Sequence, residues 1–219
     1  MHPRQPINIA VLAALLSSTA ANAATPWYPR YGDEILFQVY RQNEPVGFYH
    51  QRFSGDGERW QTRIAMELEI DWWLWQYNYR YEATEQWQGD QLTQLEVLID
   101  RNGDQTRYQL GPGDPSLGSG SEQILPTHHY NPAVLTASRV FNTIDWEVNR
   151  VTIEPLETAT VSTGVSSLSA TRFRYDGELD QVESWYDEQG RWVGLRFRDQ
   201  SGAQVEFRCV VCANEGSHE

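Results

Sequence analysis

The sequence predicts an all-β protein with one short helix, in which an antiparallel meander of roughly eleven strands curls into a half-barrel or open barrel. The first observation is a period-2 alternation of apolar and polar side chains, as at Ile35, Phe37 and Val39, that recurs along most of the chain. The second is the frequency of turn signals such as Asn102-Gly103-Asp104, which leave short connections and therefore antiparallel neighbours. A meander of this length must curl to cover its apolar face.

The predicted strands are interrupted once, by a segment that lacks the period-2 alternation. Residues 111–121 are rich in Gly, Pro and Ser and predict a loop. Asn131-Pro132 predicts a helix start, with Pro132 at the first helical position, and the helix runs to about Arg139, where it would line or plug the half-barrel. The predicted strands cover residues 34–41, 46–54, 59–70, 72–88, 91–101, 105–110, 146–154, 159–163, 169–175, 181–187, 192–198 and 204–211.

The first 23 residues have the pattern of a cleaved secretory signal peptide. Arg4 gives the positive start, residues 7–16 give an apolar run broken only by Asn8, and Ala21-Asn22-Ala23 gives a small-x-small cleavage site. We therefore expect an exported protein of the bacterial periplasm. No later stretch approaches the roughly 18 apolar residues of a membrane-spanning helix, so no transmembrane segment is expected.

The mature chain is predicted to be one β half-barrel domain, residues 24–208, followed by a C-terminal tail, residues 209–219, that carries Cys209 and Cys212. An exported chain with an even number of cysteines favours a disulfide. If the segment is a regular strand, however, the two Cα atoms lie roughly 10 Å apart, beyond disulfide reach. A bridge within the tail therefore requires a turn; inert, metal-binding, redox and intermolecular roles remain open.

The charge balance narrows the class of partner. All 17 basic residues are arginine, against 30 acidic residues, and the formal net charge is −13. Such a field repels phosphate backbones, so no nucleic-acid partner is expected. The absence of lysine excludes Schiff-base chemistry.

Residues 72–87, WWLWQYNYRYEATEQW, are the most informative segment. In a strand, alternate side chains point to opposite faces, so one face becomes a continuous aromatic stripe and the other is largely polar. The stripe predicts either a surface for an apolar or stacking ligand or an aromatic barrel core. The candidate ligand-binding residues are Trp73, Trp75, Tyr77, Tyr79 and Tyr81, together with Arg80 of the other face.

Polar residues elsewhere suggest few sites. Arg80 could form a polar network with Arg63, Glu82 and Glu85 on the face opposite the aromatic stripe, but a charge pair on a solvated strand face is favoured. Glu67, Glu69 and Asp71 alternate along one strand, as the acids of a glycosidase might, or as an acidic wet face does.

The adjacent histidines His128 and His129 could supply a metal ligand, with Glu122 or Asp145, or a general base. They lack the spacing of a known metal motif, so a packing role is favoured. No nucleotide-binding loop or nucleophile elbow is found, so neither cofactor nor metal is predicted.

Several fragments stand in order and at matching spacing over residues 34–208: Pro45-Val46-Gly47, Tyr79-Arg80-Tyr81, Thr84-Glu85-Gln86-Trp87, Asn131-Pro132, Trp185-Tyr186-Asp187 and Gly190-Arg191-Trp192-Val193. Together they resemble a family of exported bacterial β proteins described as a domain of unknown function. That resemblance implies an all-β, half-barrel fold and carries over no catalytic residues. At the level of fold alone, a meander around a helix is also similar to the periplasmic lipoprotein carriers.

Three functions fit these observations. The first is a periplasmic protein that binds or carries an apolar or amphipathic, lipid-like small molecule in the half-barrel cavity. The second is a structural or partner-binding envelope protein whose partner is another protein. The third is an envelope enzyme that uses residues scattered on the barrel wall, such as Arg80, Glu82 and His128 or His129.

Overall fold

A computed structural model describes residues 28–56, 58–72, 75–118, 123–164 and 167–212. The predicted signal peptide lies outside these residues. Among the described residues, three short 3-10 helices, Tyr28–Tyr31, Pro115–Leu117 and Pro132–Thr136, accompany the strands. The strands are β1 Glu34–Arg41, β2 Glu44–Gly55, β3 Arg59–Trp72, β4 Trp75–Gln88, β5 Gln91–Arg101, β6 Asp104–Leu110, β7 Leu125–Pro126, β8 Arg139–Asn142, β9 Glu147–Ser162, β10 Ser167–Gly177, β11 Val182–Asp187, β12 Trp192–Arg198 and β13 Gln204–Val211.

All these strands belong to one 13-stranded sheet in the order β6-β5-β4-β3-β2-β1-β13-β12-β11-β10-β9-β8-β7. Neighbours are antiparallel except β7 and β8, which run parallel. The sheet is not closed, because β6 and β7 stand at opposite ends of the order. The predicted all-β open half-barrel is therefore confirmed.

The strands differ from the prediction between residues 125 and 162. Residues 147–162 form one strand instead of two, and β7 and β8 arise where a helix and irregular chain were expected. The helix does begin after Asn131, whose side chain accepts a hydrogen bond from the Ala133 amide at 3.0 Å. It ends at Thr136 as a 3-10 turn, because Arg139 already starts the pairing of β8 with β9.

The core covers one face of the sheet, which we call the inner face. Its side chains alternate with exposed ones, as Ile35, Phe37 and Val39 do on β1. The segment 123–146, which we call the insert, carries β7, a 3-10 helix and β8, and packs on this face. No helix among the described residues is long and apolar enough to cross a membrane.

The first and last strands pair at the middle of the sheet, and this junction contains the two cysteines. Cys209 and Cys212 form a disulfide with a Cα–Cα distance of 5.9 Å. Phe37 lies opposite Cys209 but Leu36 lies opposite Val211, so β13 carries one extra residue. This bulge shortens the distance expected for a regular strand, and both cysteines are buried. The predicted domain boundary at residue 208 falls inside β13.

The disulfide generates a stability prediction. Replacement of Cys212 by Ser should lower the free energy of unfolding by about 2 kcal/mol, because the bridge restricts a short loop of the unfolded chain. Urea denaturation at neutral pH measures this loss. A reductant should lower the midpoint of the wild-type protein and leave that of the variant unchanged; an unchanged wild-type midpoint would contradict the prediction.

Candidate functional site

The insert turns sharply at the two histidines. His129 has a φ of 61°, and the Tyr130 amide donates to the His128 carbonyl at 2.8 Å. The Thr127 amide, just before the turn, donates to Phe141 of β8 at 3.0 Å. This tight turn sends consecutive side chains to different walls of the half-barrel. His128 and Tyr130 reach β4, and His129 reaches β10.

A fully buried carboxylate on β4 is the centre of these contacts. Glu85 is 0% exposed. One of its oxygens contacts Nδ1 of His128, and the other accepts hydrogen bonds from the Tyr130 hydroxyl and, at 2.9 Å, from the Trp87 indole. Donors on both oxygens satisfy a carboxylate that water cannot reach.

The far side of the His128 ring meets two hydroxyl groups. Tyr81 Oη lies 2.6 Å from His128 Nε2, and Thr143 Oγ1 lies 3.3 Å from the same nitrogen. Tyr81 and Thr143 are themselves 2.8 Å apart. The Tyr81 hydroxyl donates to Thr143, and both ring nitrogens of His128 have polar partners.

The second histidine, His129, is held by the strands on the other side of the β1–β13 junction, β10 and β11. His129 Nδ1 lies 3.1 Å from the Tyr175 hydroxyl, to which Ser184 donates at 3.4 Å. The Tyr186 hydroxyl donates to the His129 carbonyl at 2.6 Å. Burial, with a smaller contribution from neighbouring His128, lowers the pKa of His129 to about 3, so the ring is neutral.

Tyrosine hydroxyls also bind the backbone of the insert. Tyr31 donates to the Tyr130 carbonyl at 2.9 Å and accepts from the Trp192 amide at 2.7 Å. Burial raises the pKa of Tyr81, Tyr130 and Tyr186 well above the usual value, so these hydroxyls keep their protons and remain donors.

The order of carboxylate, imidazole and hydroxyl is the order found in acid–base triads. Here the hydroxyl-bearing residues are buried, with Tyr81 3% and Thr143 2% exposed. In this closed arrangement the groups link the insert to β4. Among the described residues, no group of three or more His, Cys, Asp or Glu side chains is placed to hold a metal ion.

The enzyme hypothesis required Arg80 and Glu82 to converge with a histidine. The structure places these two residues on the outer face, exposed, while His128 and His129 are buried on the inner face. The proposed constellation is therefore not formed.

The polar network considered for the outer face is not formed, and Arg80 takes part in a solvated charge pair instead. Glu85 lies on the inner face with Tyr81 and Trp87, because the three share one strand parity. Arg80 instead pairs with Glu67 at 3.2 Å, and Arg63 is exposed. A charged residue within an aromatic stripe was the sequence signal that could have identified Glu85 as a buried functional or structural group.

The predicted ligand-binding residues are divided between the two faces. Tyr77, Tyr79 and Tyr81 share the inner face, and Tyr81 belongs to the network around His128. Arg80 is on the outer face. Trp73 lies outside the described residues, as does the side chain of Trp75.

The inner face of β3 and β4 continues past the buried network toward the hairpin tip. There, Leu68 lies opposite Tyr79 and Ile70 opposite Tyr77; we call these four residues the β3–β4 rim. All four are half-buried, whereas Tyr81, two residues further along the strand, is buried. Burial decreases toward the tip, so this part of the inner face is only partly covered.

Tyr79 is the distinctive residue of the β3–β4 rim. Its hydroxyl oxygen is buried and has no hydrogen-bond partner among the described residues. The Arg101 guanidinium lies 5.8 Å from the centre of its ring. Burial raises the pKa of Tyr79 to about 12, so the hydroxyl is a donor without an acceptor.

The protein is thus an open β-sheet whose inner face holds the insert through buried hydrogen bonds and carries the half-buried β3–β4 rim. The model of the family described as Domain of unknown function (DUF6134) matches residues 37–210, and the chain belongs to that family. The resemblance found in the sequence fragments is thereby confirmed. No curated protein and no solved structure matches the chain.

Removal of the central carboxylate tests the network. Glu85→Ala should lower the free energy of unfolding by about 3–5 kcal/mol, because His128, Tyr130 and Trp87 lose a buried acceptor. The matched control is Glu82→Ala on the exposed face of the same strand, with a change within about 0.5 kcal/mol. Denaturant titration measures both. If Glu85→Ala fails to fold, Glu85→Gln, which keeps one acceptor, should show an intermediate loss; equal effects of Glu85→Gln and Glu82→Ala would contradict the prediction.

Buried His129 makes stability depend on pH. The unfolded chain takes up a proton near the ordinary pKa of 6.5, whereas folded His129 does so only near 3. Stability should therefore fall as pH decreases from about 6.5 toward 3, by up to about 1.4 kcal/mol per pH unit, and this contribution is constant above that window. Denaturation between pH 5 and 7 tests it, because most carboxylates stay ionised there. His129→Gln should flatten the slope; an unchanged slope in His129→Gln contradicts the assignment.

Proposed function

We propose that this protein is an exported periplasmic binding protein that carries an apolar or amphipathic small molecule against the β3–β4 rim. The observation that carries the proposal is the buried, unpartnered hydroxyl of Tyr79 on a half-covered aromatic surface. A buried donor without an acceptor costs free energy, and a ligand acceptor group would remove that cost.

The position of the rim follows from how the rest of the inner face is occupied. The insert and its contacts to Glu85, Tyr81 and Tyr175 fill the middle of the half-barrel. Toward the hairpin tip, the four rim residues are only half-buried. An apolar group placed there would remove Leu68, Ile70 and the tyrosine rings from water, at about 25 cal/mol per Å² of apolar surface.

The rim also accounts for an amphipathic ligand. Its aromatic rings offer apolar contact with little loss of side-chain freedom, and the Tyr79 hydroxyl offers one directed donor. Arg101, above the same ring, adds a positive charge near the donor. A molecule with an apolar body and one acceptor group therefore complements this surface better than a wholly apolar one.

The periplasmic location rests on two observations. The amino-terminal 23 residues have the pattern of a cleaved signal peptide. The Cys209–Cys212 disulfide is favoured in an oxidising compartment and disfavoured in the cytosol.

The first test is native mass spectrometry of the mature protein purified from a bacterial periplasm, followed by solvent extraction and lipid analysis. We expect a bound apolar or amphipathic molecule at a defined mass. The double variant Tyr77→Ala, Tyr79→Ala should lose most of it, and Tyr79→Phe should weaken it roughly fivefold, the value of one hydrogen bond.

The matched control is Tyr40→Ala, which removes a half-buried tyrosine from the outer face. It should leave the bound fraction unchanged. Thermal denaturation confirms that each variant is folded. Wild-type protein recovered at its bare mass, or equal loss in the Tyr40 control, would contradict the proposal.

A further inference from the structure

The outer face of the same strands carries a groove, whose lining also includes Leu68 and Tyr79 of the β3–β4 rim. The groove has a volume of about 690 Å³ and lies between the β1–β2 hairpin and the outer face of β3, β4 and β5. Strand register aligns a row of side chains across it, from Phe48 to Glu67 to Arg80 to Asp100.

One wall of the groove is apolar. Pro45, Val46 and Phe48 line it from β2. Phe48 is 51% exposed, an unusual state for a phenylalanine whose strand neighbours Gln38 and Glu67 are polar. A half-exposed aromatic ring in a concave surface indicates a contact site more than a scattered surface residue does.

The facing wall is acidic, and its carboxylates are held in place. Glu69 and Asp71 both accept hydrogen bonds from the Gln76 side chain, the second at 3.3 Å. Asp100 accepts from the Gly103 amide at 2.6 Å and from Gln105 at 2.9 Å. These two hydrogen bonds lower the pKa of Asp100, so it is ionised at neutral pH.

The one cation of the groove does not balance these charges. Arg80 lies 3.2 Å from Glu67 and is compensated by it. Arg80 also lies opposite Asp100 and helps to lower its pKa, so this single cation among the described lining residues faces the four carboxylates of Glu67, Glu69, Asp71 and Asp100. The groove therefore presents an excess of negative charge beside an apolar wall.

A glycine allows the strands to approach closely at the groove. Gly47 has a φ of +155°, and a Cβ atom there would lie 1.8 Å from the Glu67 carbonyl oxygen. Only glycine permits β2 and β3 to meet at this distance. The close approach sets Phe48 next to Glu67 and so joins the apolar wall to the acidic wall.

We propose that this groove is a docking site for a basic, amphipathic extended segment of a partner protein. Charge complementarity to Glu69, Asp71 and Asp100 selects lysine or arginine side chains, and Phe48 selects an apolar residue between them. The site goes beyond the proposed function: the inner face contacts the small molecule, and the outer face of the same strands contacts a protein.

The test uses a fluorescein-labelled peptide of eight residues in which Lys and Leu alternate, titrated with the mature protein at 150 mM salt. Fluorescence anisotropy measures the dissociation constant. We expect saturable binding that weakens as salt increases, because the attraction is electrostatic. Phe48→Ser should weaken binding about tenfold, and the double variant Glu69→Gln, Asp71→Asn should weaken it by a similar factor.

The matched control is the double variant Asp90→Asn, Glu188→Gln, which makes the same charge change at exposed turns outside the groove. Its binding should equal that of the wild type. A peptide in which Ser replaces Lys separates charge from apolar contact and should bind at least tenfold more weakly.

Three outcomes would overturn the proposal. They are absence of binding, equal weakening in the control, and equal binding of the serine peptide. Size-exclusion chromatography at several concentrations adds a fourth, since a dimer abolished by Phe48→Ser would make a second copy of this chain the occupant. None of these readouts depends on a bound small molecule, so this proposal and the rim proposal can fail independently.

Discussion

The structure depends on one buried carboxylate. Glu85 has no access to water, and a carboxylate in that position is tolerated only when donors surround it. Two of those donors, His128 and Tyr130, come from the insert. Satisfying Glu85 therefore fixes the insert on the inner face, and the insert in turn supplies the backbone carbonyls that the Tyr31 and Tyr186 hydroxyls bind. One charge placed within an aromatic strand thus connects both arms of an open sheet.

Seating the insert divides the inner face into two parts with different chemistry. Beneath it, polar contacts are satisfied and the groups that could form a triad are closed off. Beyond it, the β3–β4 rim remains half-covered and keeps an unpartnered hydroxyl at Tyr79. Strand alternation then gives the same two strands a second surface, because Leu68 and Tyr79 point inward while their neighbours Glu67 and Arg80 point outward. The rim and the groove therefore lie on opposite faces of β3 and β4, and only Leu68 and Tyr79 of the rim also belong to the groove lining.

Strands β1 and β13 come from opposite ends of the chain and pair with each other at the centre of the open sheet. The bulge at this junction faces both cysteines inward and lets them bridge, although a regular strand would place them on opposite faces. The bridge thus follows from pairing between the first and last strands, and it belongs to the sheet rather than to a separate tail.

The sequence by itself determined the features that depend on near neighbours. Alternation predicted the strands, their turns and the face of the β4 aromatics, since side-chain direction along a strand is a local property. The Asn131-Pro132 pair predicted the helix start, because helix capping depends only on neighbouring residues. Only the tertiary structure decided what meets across the interior. Glu85 and His128 are 43 residues apart, and no local pattern encodes their contact. The same reason explains why the cysteine bridge, the closed state of the triad-like groups and the groove beside Phe48 could not be predicted: each depends on which strand lies alongside, and that is set by packing of the whole sheet.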